Sequence, residues 1–143
     1  RFHGAVPVEH VPHHMRDCDV YAFPSVRESG GATVMEAMAC GKPVVVADHG
    51  GPAETVDDSC GLRVPARSPE QLIEGVADAI ESLGRDEALR VAMGRAARQR
   101  IERAFTWEVR AEAALSVYDD VLGRRVRADR PWVPAPRYLP TSV

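Results

Sequence analysis

Two glutamates eight positions apart, Glu28 and Glu36, frame the stretch "RESGGATVMEAMACGKPVVV" at residues 27–46, with Gly30-Gly31 between them. A carboxylate accepts several hydrogen bonds at once, including those from both hydroxyls of a ribose. A glycine pair lets the backbone approach a ligand more closely than residues with a Cβ allow. Ala32 and Thr33 follow and open a helical pattern. The first amides of a helix have no intrahelical acceptor and sit at the positive end of its dipole, which suits a phosphate. Glu36 lies about one turn into that helix, and helical side chains lean toward the N-terminus, so its carboxylate is aimed back at the same place. Glu28 precedes the helix and meets whatever lies on the other side of the phosphates. A lone glutamate on a helix is ordinarily just solvated. Here the spacing, the glycines and the helix start act together, and the combination suits a sugar nucleotide.

The elements that must hold these residues follow from the rest of the pattern. "RFHGAV" (1–6) is expected to be a strand, "VEHVPHHMRDC" (8–18) a loop and short helix, and "VYAF" (20–23) a strand closed by Pro24. "ATVMEAMAC" (32–40) reads as a helix stopped by Gly41. "PVVVA" (43–47) is a continuous apolar run, as in a strand covered on both faces. "PAETV" (52–56) is a helical turn and "CGLRVP" (60–65) a short extended piece. Three helices are expected next. The first starts at Ser68-Pro69 with Gln71 as capping partner, uses Leu72, Val76, Ile80 and Leu83, and ends at Gly84. The second runs from about Asp86 to Ala104 with Leu89, Met93, Ala96 and Ile101 on one side. The third is capped by Thr106 and packs Trp107, Ala111, Leu115, Tyr118 and Leu122 before Gly123. Strand–helix–strand order implies an α/β fold with a parallel sheet, and ligands of such sheets bind outside the carboxyl ends of the strands. The loop after the strand at 20–23, "PSVRESGGA", lies at that edge.

Against this background the segment "YAFPSVRESGGATVMEAMACGKPVVVADHGGPAETV" resembles the nucleotide-sugar-binding domain of retaining GT-B glycosyltransferases of the glycosyltransferase family 4 type. The family pattern is a strand ending in Pro-Ser, an E-x(7)-E motif, the run E-A-M-A-x-G-x-P-V-V, and then G-G-x-x-E. Here these are Pro24-Ser25, Glu28 with Glu36, Glu36-Ala37-Met38-Ala39 with Gly41 and Pro43, and Gly50-Gly51 with Glu54. "GLRVP", "SPEQL", "FTW" and the last helix with Tyr118 match as well, so the likeness covers about residues 1–122.

The resemblance implies a partial Rossmann-like parallel sheet flanked by helices, the C-terminal half of a GT-B fold. It also implies roles. Glu28 would contact the donor sugar and stabilise positive charge near its anomeric carbon, as the catalytic residue. Glu36 would hold the ribose, and the backbone of Gly30, Gly31, Ala32 and Thr33 would face sugar and diphosphate. Gly4 and Val6 would lie near the base. Gly50-Gly51 is either a tight turn or a second ligand-facing segment. The donor would be a UDP-, GDP- or ADP-sugar, with no metal and no further cofactor. Position 30 is Gly where many relatives carry an aromatic or larger apolar residue. The family's phosphate-binding Arg/Lys pair and its acceptor-binding domain would lie upstream of Arg1, so the chain is expected to be a fragment that does not catalyse alone.

Charge and cysteine usage narrow the alternatives. Net charge is −3, with an acidic balance over residues 1–123 and five Arg against one Asp in 124–143. An acidic body gives no basis for nucleic-acid binding. The expected division is a donor-binding domain over 1–123 and an Arg/Pro-rich, solvated tail over 124–143. Such a tail allows contact with an acidic neighbour or, in the full-length protein, an anionic membrane surface. Cys18, Cys40 and Cys60 show no zinc or disulfide spacing and fit a reducing cytoplasm. His10, His13 and His14 lack a metal-ligand pattern. A truncated sheet would expose an edge, so self-association is expected. The rival functions are a partner-binding module on the same scaffold and another GT-B enzyme such as an epimerase. A phosphorylase is disfavoured, because Lys42 is the only lysine and sits in a turn.

Overall fold

The structure, a computed structural model, describes residues 2–123. The expected 124–143 tail lies outside them. Two compact units divide the chain between Glu102 and Arg103.

The first unit is built on three parallel strands, β1 (Tyr21–Phe23), β2 (Val44–Ala47) and β3 (Gly61–Val64), in the order β1-β2-β3. Tyr21 pairs with Val44 and Val44 with Gly61, so β2 is central. Its residues Val44, Val45, Val46 and Ala47 are completely buried, because helices cover both faces and an apolar run has no polar side to spare. Successive strand residues point to opposite faces. Val44 and Val46 therefore join Met15, Val34, Ala37, Met38, Val56, Cys60 and Ala97 in one core. Val45 joins Val64, Ala79, Leu83 and Met93 in the other. The helices supplying these side chains are α1 (Val11–Asp17), preceded by a 3-10 turn at Val8–His10, α2 (Ala32–Ala39), α4 (Pro69–Arg85) and α5 (Glu87–Ala104), while a shorter helix, α3 (Gly50–Thr55), ends just before Val56.

Three expectations for the first unit need correction. Residues 2–6 form no strand: Gly4 takes a left-handed φ of 68°, Pro7 follows without an amide donor, and Phe2 is fully exposed. A short β-prone run needs a hydrogen-bonded neighbour, and β1 pairs only with β2. Helix α4 does not stop at Gly84 but continues to Arg85. Its end is set by Asp86, whose extended backbone breaks the helix and whose Oδ1 accepts from the Leu89 amide at 2.8 Å to start α5. Ile80, expected in the apolar face of α4, is exposed, and Ala79 takes the buried position. The α4 start is as read: Ser68 Oγ accepts from the Gln71 amide, while the Gln71 side chain accepts from the amide of Arg67.

Helix α5 lies across the amino edge of the sheet. A Cβ on Gly94 would come within 2.2 Å of the Gly41 carbonyl oxygen, in the turn just ahead of β2. From this position α5 sends Met93 to one core and Ala97 to the other. In a parallel α/β unit the helix C-termini emerge at this edge, each with unpaired carbonyls at the negative end of a dipole. Three arginines of α5 meet them. Arg90 Nη1 donates to the carbonyls of Leu83 and Gly84 at 2.8 and 3.0 Å, near the end of α4. Arg98 donates to Ala39, the last residue of α2, at 3.2 Å. Arg100 donates to Thr55, the last residue of α3, at 2.6 Å.

The second unit contributes α6 (Trp107–Val121), whose N-cap Thr106 Oγ1 accepts from the Val109 amide. The Arg110 guanidinium sits 4.6 Å from the centre of the Phe105 ring. No residue of α6 is buried, and Trp107, Leu115, Tyr118 and Leu122 are exposed, contrary to the packed stripe expected. Periodicity fixes which side chains share a face, but not that another layer covers it. No helix among the described residues is long and apolar enough to cross a membrane.

Met38 is among the largest fully buried side chains, so Met38→Ala leaves a void and is expected to lower stability by about 2–5 kcal/mol. Urea denaturation measures this, and a loss well under 1 kcal/mol would mean that the α2–β2 core is not packed as described.

Candidate functional site

The carboxyl edge of the sheet is where the helix N-termini gather, and the loop from Pro24 to Gly31 joins β1 to α2 there. Glu28 folds back on this loop. Its Oε1 accepts from the amides of both Gly30 and Gly31 at 3.0 Å. The hydrogen bond from the Gly31 amide, then that from Gly30, holds the Glu28 carboxyl below the usual glutamate range. A carboxylate so stabilised is a fixed negative acceptor, poorly suited to carrying a proton. It also keeps acceptor capacity beyond the two amides.

Gly31 is the N-cap of α2, with φ 65° and ψ 46°. This left-handed conformation is one that L side chains rarely adopt. Its carbonyl accepts from the Val34 amide at 2.9 Å. The amides of Ala32 and Thr33 precede any carbonyl of the helix able to receive them, and both residues are exposed. Glu36 is also exposed, five residues into α2, and its carboxylate makes no hydrogen bond or ion pair with the described residues.

The second glycine pair explains how the loop is held. A Cβ on Gly51 would lie 2.0 Å from the Ser29 carbonyl oxygen, and one on Gly50, whose φ is 62°, would lie 2.6 Å from that of Glu28. A Cβ on Gly31 would meet Pro52 Cγ at 2.8 Å. The start of α3 therefore packs directly against residues 28–31, backbone against backbone. Gly50-Gly51 is demanded by this packing, and so is Gly31. Gly30 differs: its φ is not positive, and a Cβ there would meet nothing within 4 Å. It faces open space beside Glu28.

The structure thus brings Glu28, Gly30, Gly31, Gly50 and Gly51 together, with Ala32, Thr33 and Glu36 on the adjoining helix. Gly4 and Val6 lie in the irregular segment before the 3-10 turn, and no hydrogen bond among the described residues ties them to the 28–36 stretch. Sequence reasoning missed Ser29 and Pro52 as packing partners and Arg100 behind α3. The proline next to Gly50-Gly51 was the available signal for the first two. Among the described residues no group of three or more His, Cys, Asp or Glu is arranged to hold a metal ion. The His3 and His14 rings lie 4.5 Å apart, tilted by 51°, and His13 Nδ1 lies 3.3 Å from Arg16.

A parallel three-stranded sheet with helices on both faces and a glycine-bounded loop at its carboxyl edge has the architecture of a GT-B glycosyltransferase domain. Sucrose-phosphate synthase from Thermosynechococcus elongatus superposes with a TM-score of 0.72 at 28% identity, over 86% of this chain and 30% of that one. Anabaena HepE, solved in complex with UDP-glucose, gives 0.59 at 26% identity, over 76% of this chain and 30% of its own. Residues 1–100 match the family described as Glycosyl transferases group 1, and the chain belongs to that family. D-inositol 3-phosphate glycosyltransferase of Corynebacterium diphtheriae is 42% identical over 84% of this chain, and that of Corynebacterium jeikeium 36% over 91%. The chain spans 27% and 30% of their lengths.

Two expectations follow from the geometry. Gly51→Ala should lower stability by about 1–3 kcal/mol, as overpacking does, whereas Gly30→Ala should stay within about 0.5 kcal/mol of the parent. Thermal and urea melts of the pair check this, and equal effects would contradict the packing. Glu28, with its depressed folded pKa, supports the loop fully above the ordinary glutamate value of 4.5 and loses that support as pH falls through the lower folded value. In NMR titrations the Gly30 and Gly31 amide shifts should move together with a midpoint below 4.5, and the step should vanish in Glu28→Gln. A midpoint above 4.5 would refute the pairing.

Proposed function

We propose that this chain is the donor-binding part of a retaining, metal-independent glycosyltransferase that moves a sugar from a nucleotide diphosphate to an acceptor. The observation that carries the reading is the pairing of two differently held carboxylates at one edge. Glu28 is locked to the glycine loop by two amides, and Glu36 stands free about one turn into the helix that follows.

The division of labour follows from the chemistry. The first amides of α2, at Ala32 and Thr33, meet the diphosphate and neutralise part of its charge without a cation. Glu36 accepts from the ribose hydroxyls, since its carboxylate has no other partner among the described residues. Glu28 faces the sugar. As the bond from the anomeric carbon to the diphosphate lengthens, positive charge grows on the sugar ring, and a carboxylate kept ionised by two amides stabilises it without reorganising. Gly30, with open space in place of a side chain, supplies the close backbone approach, Gly31 shapes the turn beside it, and Gly4 and Val6 are assigned to the base side. UDP-sugars are the first donors to test, because HepE was solved with UDP and with UDP-glucose. The acceptor site belongs to the remainder of the protein, and the piece alone is assigned no turnover. A nucleotide-sugar donor and three free cysteines fit a cytoplasmic setting.

In the full-length enzyme Glu36→Ala should weaken nucleotide-sugar binding by about 1.5–3 kcal/mol, the worth of a charge-assisted hydrogen bond. Glu28→Ala should mainly lower kcat. Calorimetric titration with UDP-, GDP- and ADP-sugars, together with steady-state kinetics, separates the two effects. Unchanged activity in the double variant would overturn the assignment.

A further inference from the structure

Arg100 makes more contacts than a helix cap requires. Its Nε donates to the Thr55 carbonyl at 2.6 Å, its Nη2 to the Glu54 carbonyl at 3.4 Å, and its Nη1 to Asp57 Oδ2 at 2.5 Å. Asp57 is in turn fixed by Ser59, whose amide donates to Oδ1 at 3.0 Å and whose hydroxyl donates to it at 2.5 Å. One guanidinium therefore grips the last two carbonyls of α3 and the first acidic side chain beyond it.

Helix α3 has six residues, a rod of about 9 Å. Its far end is the Gly50-Gly51-Pro52 start that packs on residues 28–31 with no space for a Cβ. The two ends are tied through Thr55, the one buried polar residue of the described core, whose hydroxyl donates to the Gly51 carbonyl at 3.1 Å. A short rod clamped at one end and wedged against a loop at the other transmits position, because close-packed backbone has no slack to absorb a shift.

We propose that Arg100 is a positioning residue: acting through α3, it sets the placement of the 28–31 loop and hence of the Glu28 carboxylate. It has no direct contact with the donor in this scheme. The inference rests on the donor-binding reading only for its consequence in catalysis, since the mechanical link stands on the geometry alone. An arginine is specified because its planar fork meets two carbonyls and a carboxylate together, which a lysine ammonium on a flexible stem does not reproduce.

The test compares hydrogen exchange at the Gly30 and Gly31 amides in the full-length protein and in Arg100→Met, Arg100→Lys and Arg90→Met. Arg90→Met removes an equivalent cap from α4 and serves as the control for general loosening. Arg100→Met should raise exchange at both amides by about tenfold, as local opening becomes easier. Arg100→Lys, which keeps the charge and covers the case in which the methionine variant does not fold, should fall between. Arg90→Met should leave both amides at the parental rate. Unchanged exchange in both Arg100 variants, or an equal rise in Arg90→Met, overturns the proposal.

A second arm measures KM and kcat with UDP-glucose as donor. A misplaced loop should cost about tenfold or more in kcat/KM in Arg100→Met, with none of that loss in Arg90→Met. Parental kcat/KM despite faster exchange overturns the catalytic consequence. A parent protein that binds no nucleotide sugar sinks the donor-binding reading, and the exchange comparison still decides the role of Arg100.

Discussion

Parallel pairing of β2 with both of its neighbours is the constraint from which the rest of this structure follows. Parallel strands force every connection to cross from the carboxyl edge to the amino edge, so the helices between them run the same way. Their positive ends collect at one rim and their negative ends at the other. Neither rim can be left alone: carbonyls at one side and amides at the other lack partners, and each set adds to a dipole. The two rims find different answers. At the amino edge the protein supplies its own cations from α5. At the carboxyl edge it leaves the first amides of α2 open beside a loop rich in glycine, an arrangement that favours negative charge.

Helix α5 is accordingly more than a cover. It carries Arg90, Arg98 and Arg100 to the ends of α4, α2 and α3, and it reaches both cores because Gly94 lets it pass tightly over the turn at Gly41. Arg90 and Arg100 each satisfy a half-buried carbonyl, at Leu83 and Thr55, that would otherwise cost a desolvation penalty, while Arg98 caps a more exposed one at Ala39. Asp57 shows the same balance on a smaller scale. Burial opposes its ionisation, yet the hydrogen bonds from the Ser59 hydroxyl and amide and the charge of Arg100 outweigh that and hold its carboxyl low.

Glycine has two separate meanings at the site. Gly31, Gly50 and Gly51 are small because protein backbone or Pro52 occupies the place of a side chain. Gly30 is small with nothing in its way, so the space beside Glu28 is left open. The contrast separates residues that build the loop from the one that leaves it open, and only spatial neighbours reveal it. It also explains why Glu28 is held so firmly: the two amides that fix its carboxylate belong to residues whose own positions are pinned by, or adjacent to, the start of α3.

Much was legible in order along the chain. The valine run at 43–47 announced a strand covered on both faces. Ser68-Pro69, Thr106 and Gly41 marked helix boundaries, and the glutamate spacing with its glycines marked the loop. These are local signals, carried by residues within a turn of one another. The failures were of another kind. A β-prone segment at residues 2–6 pairs with no strand among the described residues, the expected apolar stripe of α6 is exposed, and Gly84 yielded to the capping preference of Asp86. Nor does sequence say that Gly51 rests on Ser29 or that Arg100 grips α3 from 45 residues away. The sequence alone determined which segments are strands and helices and where acids and glycines recur, because backbone propensity and side-chain period act over a few residues. Only the tertiary structure decided which acid is held, which glycine is filled and which cation caps which helix, because those depend on distances between segments that no local pattern encodes.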